Sequence, residues 1–172
     1  MQAAHGKTVP DLIAKNLKVL FVGINPGLYT AAIGHHFGRP GNRFWPALHA
    51  GGFTPDLLSP FDNQQLLKLG YGITNLVPRA TTRADELNRD ELIAGVKTLE
   101  AKVRRYRPKC IAICGVGSYR VAFERPKANT GRQNEKLAGA MVWVLPNPSG
   151  LNAHYQPADL KKLFAELHRA VE

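Results

Sequence analysis

Four short apolar runs, each closed by turn residues, limit what this chain can fold into more than any other feature. Lys18–Asn25 (KVLFVGIN) is rich in β-branched residues and runs into Pro26-Gly27, the pattern of a buried strand followed by a turn. Tyr71–Val77 (YGITNLV), Lys109–Val116 (KCIAICGV) and Met141–Asn147 (MVWVLPN) repeat it. Continuous apolar runs of this kind belong to strands buried on both faces, so helices must cover both sides of the sheet. Between the runs, Leu92, Val96, Leu99, Val103 and Tyr106 recur at helical spacing, one face of a helix. Asn88 and Glu91 offer that helix a capping box, and Pro108 ends it. A second stripe, Leu160, Phe164, Leu167 and Val171, follows Pro157 in its first turn. Strands alternating with helices predict an α/β fold, a three-layer α/β/α sandwich around a central parallel sheet.

The 172 residues suit one domain spanning 1–172, large enough to bury a core without a metal or disulfide staple. Neither a repeat nor a linker divides it. Glu124–Lys136 is polar and cation-rich and reads as a mobile surface loop. Cys110 and Cys114 fall on one side of an extended strand, as small core residues too far apart to bridge. The opening MQAAHGKTVPDLIAKN has no apolar signal core, and no long uncharged apolar run follows. The expectation is no membrane and a cytoplasmic protein, associated with the nucleoid in a bacterium. His35-His36 lacks the carboxylate or cysteine company of a metal site. No G-x-G-x-x-G follows the first strand and no P-loop occurs, which speaks against a nucleotide-cofactor enzyme.

Charge narrows the partners. Lys and Arg number 23 against 13 acids, a net charge of +10. Such an excess attracts polyanions, because each phosphate contact releases a condensed counterion; a basic surface kept for solubility is the alternative.

Ligands of parallel sheets bind where the strands end, at the loops after Asn25, Val77, Val116 and Asn147. The first loop, Gly23–Trp45, carries several glycines and prolines that let the backbone approach a ligand, with Asn25 at its start and Phe37 within it. Asn25 is either a turn former or a functional amide, and Phe37 either a core plug or a stacking ring. In Leu145–Tyr155 (LPNPSGLNAHY), apolar Leu151 stands between a glycine turn and polar residues. It either folds back on its own domain or serves as a wedge that parts stacked bases.

Taken together, GINPG with a downstream NRFW, YGITNLVPRATT, and NPSGL at the end of a later strand resemble the mismatch-specific uracil/thymine-DNA glycosylases of the uracil-DNA glycosylase superfamily. The resemblance runs from about Lys18 to the C-terminus. It implies a uracil-DNA glycosylase-like sandwich whose activity is to flip a mismatched or damaged base from duplex DNA and hydrolyse its N-glycosidic bond. Uracil opposite guanine is the implied substrate, with etheno-cytosine also in range. The enzyme would be monofunctional and monomeric, with no cofactor. A catalytically weak binder of mismatched or single-stranded DNA is the alternative.

By the same resemblance, Asn25 positions the attacking water and Phe37 stacks on the flipped base. Backbone groups around Ile24 and Phe37 bond its edge, Thr30 crowds the C5 position, and Asn75 lies near the base. Asn147, Ser149, Gly150, Leu151 and Asn152 form the insertion loop, with Leu151 as the wedge. Ala153 and His154 depart from the family pattern, in which an arginine is often found nearby. Ser149 and the amides of Gly115–Ser118 are candidate phosphate contacts. Asp85, the carboxylate nearest these motifs in sequence, is an auxiliary catalytic candidate or a helix-start surface acid.

Overall fold

The four apolar runs form the parallel part of a five-stranded sheet in the computed structural model, which describes residues 2–172. They are β1 (Val19–Gly23), β2 (Tyr71–Asn75), β3 (Cys110–Cys114) and β5 (Ala140–Leu145), and β4 (Gly131–Leu137) precedes the last of them. The strand order is β2-β1-β3-β5-β4. Helices α1 (Leu28–Ile33), α2 (Phe44–Ala50), α3 (Asn63–Lys68), α4 (Arg89–Tyr106), α5 (Val116–Ala122) and α6 (Pro157–Val171) complete the fold.

Alternation along each strand sends side chains to two separate cores. Phe21, Ile73, Cys110, Ala112, Cys114 and Trp143 pack with Phe44, Leu48, Leu66, Leu160, Phe164 and Leu167 from α2, α3 and α6. On the other face Leu20, Val22, Ile111, Ile113, Val142 and Val144 meet Leu92, Leu99 and Val103 of α4 and Tyr119 of α5. The three-layer sandwich expected from the sequence is therefore present. Both cysteines are buried free thiols on one face. Asn88 caps α4, its side chain accepting from the Glu91 N–H at 2.8 Å. Among the described residues no helix is long and apolar enough to cross a membrane.

The sheet is mostly parallel, as expected, with β4 added antiparallel to β5 at its edge. Two expectations are corrected. Strand β4 occupies the end of the stretch expected to be a mobile loop. Its residues alternate half-buried and exposed, and the Tyr119 hydroxyl bonds Glu135 at 2.6 Å beneath it. The Gly23–Trp45 segment is likewise more ordered than a loop, since it contains α1 and the start of α2.

Candidate active site

The chain places β2 on one side of β1 and β3 on the other, so the strand order reverses beside β1, where α/β sheets open a crevice at their C-terminal edge. A cavity of about 290 Å³ lies there. Asn25, Thr30, Phe37, Asn75, Asn147, Ser149 and Leu151 border it, joined by His36, Thr81, Arg39, Arg83 and Cys114. The loops after β1, β2 and β5 thus converge as expected. Gly115–Ser118, after β3, instead line a separate shallow depression with Asn152 and His154.

Asn25 is half-buried just beyond β1, and its amide orientation is fixed. Nδ2 donates to the Arg79 carbonyl at 2.9 Å and to Thr81 Oγ1 at 2.8 Å. A carbonyl can only accept, so the nitrogen must face Arg79, and Oδ1 is left as the acceptor. Thr81 donates its own hydroxyl proton to the Arg83 carbonyl at 2.7 Å. Arg79 is itself anchored through two bonds to Glu91, at 2.7 and 2.9 Å. These bonds hold the Glu91 carboxyl at a pKa of about 2.

Phe37 has a left-handed backbone, φ 52°, which a non-glycine residue adopts only where its surroundings enforce it. Its ring stacks on Phe44 with centroids 4.1 Å apart and planes 23° apart. With one face covered by Phe44, the other is the face available to a flat ligand. Phe37 packs against the core and also borders the cavity. Thr30 is buried, and its Oγ1 accepts from the Gly38 N–H at 3.1 Å. The Ile24 side chain turns away from the cavity toward Gly115 and the second core. Its contribution is therefore restricted to the backbone.

At the end of β2, Asn75 Nδ2 faces His36 Nδ1 at 3.5 Å. His36 is 2% exposed, and its Nε2 lies 2.8 Å from the Pro10 carbonyl. Because that carbonyl needs a donor, Nε2 carries the proton and Nδ1 is the lone-pair acceptor toward Asn75. Burial lowers the His36 pKa against the opposing pull of the Pro10 bond and Asp11, which favours this neutral ring. Gly23 lets β1 approach two of the cavity residues closely: a Cβ there would lie 2.7 Å from Asn75 Oδ1 and 3.3 Å from Phe37 Cζ.

The Asn147–Asn152 loop braces itself. Asn147 Oδ1 accepts from the Ser149 N–H, and Ser149 Oγ accepts from the Leu151 N–H. Asn152 donates to the Asn147 carbonyl and accepts from the His154 N–H. Gly150 is pressed so closely on Gly41 that a Cβ would meet its carbonyl at 2.5 Å. Arg43 pins the loop from below, donating to the carbonyls of Tyr155, Asn152 and Gly150 at 2.6, 3.3 and 3.2 Å. The polar loop residues are thus occupied in shaping the turn, which leaves Leu151 76% exposed at the cavity mouth. Leu151 does not fold back on its own domain.

Gly150 and Asn152, like Gly115–Ser118, lie outside the cavity wall, and so does Asp85. Its side chain is 72% exposed and pairs with Arg83 at 3.0 Å. Although Arg83 and Ala84 beside it border the cavity, its own side chain faces solvent, as the surface acid of the alternative does. Conversely, His36, Thr81, Arg79 and Arg43 were not singled out from the sequence, although the NRFW and PRATT segments contain three of them. No lysine borders the cavity among the described residues. Burial pushes the Cys114 thiol at its floor up to about 12, so it stays protonated and unreactive.

Residues 10–168 match the family model of the uracil DNA glycosylase superfamily. The fold also resembles the solution NMR structure of a candidate uracil DNA glycosylase from Methanosarcina acetivorans. The TM-score is 0.61 at 18% sequence identity, over 95% of this chain and 98% of that one; at this identity the likeness concerns the fold alone.

Proposed function

The chain belongs to the uracil-DNA glycosylase superfamily, and on that premise we propose that it is a monofunctional glycosylase that removes uracil from mismatched duplex DNA. Guanine is the preferred opposite base, and etheno-cytosine and related damaged bases are further substrates. The protein acts as a monomer, without a cofactor, on the nucleoid DNA of a bacterial cytoplasm. The target base must leave the stack, since C1′ is otherwise inaccessible, and a mispaired base costs least to extrude.

The observation that carries this reading is the orientation of Asn25, whose nitrogen is engaged by Arg79 and Thr81 and whose Oδ1 is free to hold a water. The flipped base stacks on the open face of Phe37. Asn75 presents an acceptor and a donor side by side, matching the N3–H donor and O4 acceptor of uracil. Thr30 crowds a C5 methyl, so uracil is processed far better than thymine. Leu151 fills the gap left in the duplex.

The C1′–N1 bond breaks first, its electron pair leaving on N1 of uracil, while pocket donors stabilise the departing anion. The water held by Asn25 then bonds to the oxocarbenium-like C1′ and releases its proton to solvent. An amide orients water but does not take its proton. General-base assistance is typically worth ~10²–10⁴-fold, so turnover is slow. Asp85 has no role in this scheme.

A duplex with a single G·U pair tests the reading under single-turnover conditions. Excision should leave an alkali-labile abasic site, and Asn25→Ala should abolish it while retaining DNA binding. Unchanged chemistry in Asn25→Ala would remove that residue from the mechanism. Binding without excision by the wild type would make the protein an inactive mismatch binder. A panel with U, T and etheno-C opposite G and A resolves the substrate range.

A further inference from the structure

The charge excess that suggests a nucleic-acid partner is not concentrated at the catalytic mouth. Of the arginines there, Arg79 pairs with Glu91, Arg83 with Asp85, and Arg43 is bound to loop carbonyls. Among the described residues Arg39 is the rim cation without such a partner. The opposite end of the sheet, where the parallel strands begin, is different. Lys18 immediately precedes β1, Lys109 precedes β3, and Lys136 of β4 pairs with Met141 at the start of β5. Arg104, Arg105 and Arg107 at the end of α4 extend this row, and all six side chains are exposed.

These segments form one continuous face. The Lys18 N–H donates to the Gly70 carbonyl, the Lys109 N–H to Leu17, and the Met141 N–H to the Lys109 carbonyl, at 2.8, 2.9 and 3.0 Å. Arg104, Arg107 and Lys109 border an open depression of about 520 Å³. Glu100 pairs with Arg104; among the described residues the other five cations form no ion pair with an acid. Concentrating unpaired like charge raises the cost of the folded state, and a polyanion relieves it.

We propose that this pole is a second DNA-backbone site, which takes a duplex segment distinct from the one in the catalytic cleft. The spacing fits. From Lys18 on β1 to Lys136 on β4 is three strand separations, about 14 Å, a length over which one strand of B-DNA presents about four phosphates. The strands place roughly 16 Å between the pole and the cleft, before the loops at either end are added. A duplex lying across Leu151 therefore does not reach it. Two simultaneous contacts would let the protein pass from one segment to another without release. The inference rests on the reading that the chain works on DNA, but uses none of the catalytic residues.

The test is the variant Lys18→Gln/Arg107→Gln/Lys109→Gln with two undamaged duplexes, one immobilised on beads and one free and fluorescent. Wild-type protein should retain the free duplex on the beads, and the variant should not. Each neutralised phosphate contributes about 0.9 to the slope of log affinity against log salt. The variant should therefore lose a slope of roughly 2.7, so that its affinity ratio between 50 and 200 mM salt shrinks about 40-fold. Its single-turnover excision from a short G·U duplex at saturating protein should equal the wild type, which also shows that it folds. No retention by the wild type, or retention and slope unchanged in the variant, would overturn the proposal. So would an acidic polypeptide that binds through these three residues while duplex retention does not depend on them. Retention without excision by the wild type would remove the glycosylase reading and leave the second site standing.

Discussion

Gly23→Ala tests how closely β1 packs against Asn75 and Phe37. The new methyl carbon would lie 2.7 Å from Asn75 Oδ1 and 3.3 Å from Phe37 Cζ. An ordinary carbon–oxygen contact is about 3.3 Å or more, so the Asn75 amide must retreat by roughly 0.6 Å. Retreat alters its 3.5 Å approach to His36 and the position of any base bonded to it. A misplacement of about 1 Å can cost ~10²-fold in rate, so a shift of this size should slow single-turnover uracil excision roughly 10- to 100-fold. Stability should change little. Glycine in a strand costs roughly 0.5–1 kcal/mol relative to alanine, which offsets part of the steric strain, and the amide borders a cavity into which it can move. A net change within about 1 kcal/mol moves the melting temperature by some 2–4 °C in a chain of this size. Gly117→Ala in α5, where a Cβ meets nothing within 4 Å, is the matched control and should leave excision unchanged. Excision by Gly23→Ala within twofold of wild type, in a folded protein, would refute the placement of Asn75 against the base.

Three further outcomes are expected. Arg43→Ala removes the donor shared by three insertion-loop carbonyls, so it should destabilise the fold by about 1–3 kcal/mol and slow excision from duplex; wild-type melting and activity would contradict the bracing role. Leu151→Ala should leave the melting temperature unchanged, because the residue is exposed, yet impair excision from duplex more than from single strands; equal losses on both would count against the wedge. Acid should destabilise the fold through Glu91, whose folded pKa is depressed to about 2, chiefly by the Arg79 hydrogen bond. The stability that the Arg79 pair contributes is fully present above the unfolded carboxyl value near 4.3 and is lost as pH falls from there through the folded value. Glu91 should therefore contribute a decline in melting temperature across that window in the wild type. Glu91→Gln, with no carboxylate to titrate, should lack that contribution, and an identical acid decline in the variant would sink the idea.

What could be read in the sequence, and what could not, follows from which atoms do the work. The central strands were legible because burial on both faces demands unbroken apolar runs, and α4 because Asn88 and Glu91 cap it with side chains. β4 was not legible. GRQNEKL has almost no apolar residue to alternate, since this edge strand is held by the β5 ladder and by polar contacts such as Tyr119 with Glu135. In the cavity, Asn25, Phe37, Asn75 and Leu151 stood out by type and position within motifs. Their supports did not, because those act largely through backbone carbonyls that no side-chain pattern encodes: Arg79 under Asn25, Pro10 under His36, Tyr155 above Arg43. Asp85 failed for the converse reason, since nearness along the chain says nothing about which way a turn faces.

Net charge is the extreme case of the same limit. A total of +10 is indifferent to place, and it argues for a polyanion without saying where one lies. At the mouth, carboxylates neutralise Arg79 and Arg83 and backbone carbonyls engage Arg43. That arrangement favours shape and hydrogen bonding over raw attraction where a base must be selected. Selection by fit needs a duplex held long enough to be probed and loosely enough to be released. In the proposed second site, cations at the opposite end of the strands would supply attraction without deepening the hold on the base itself. A charge that is useless for recognition at Lys18, Arg107 and Lys109 is thereby well placed for search.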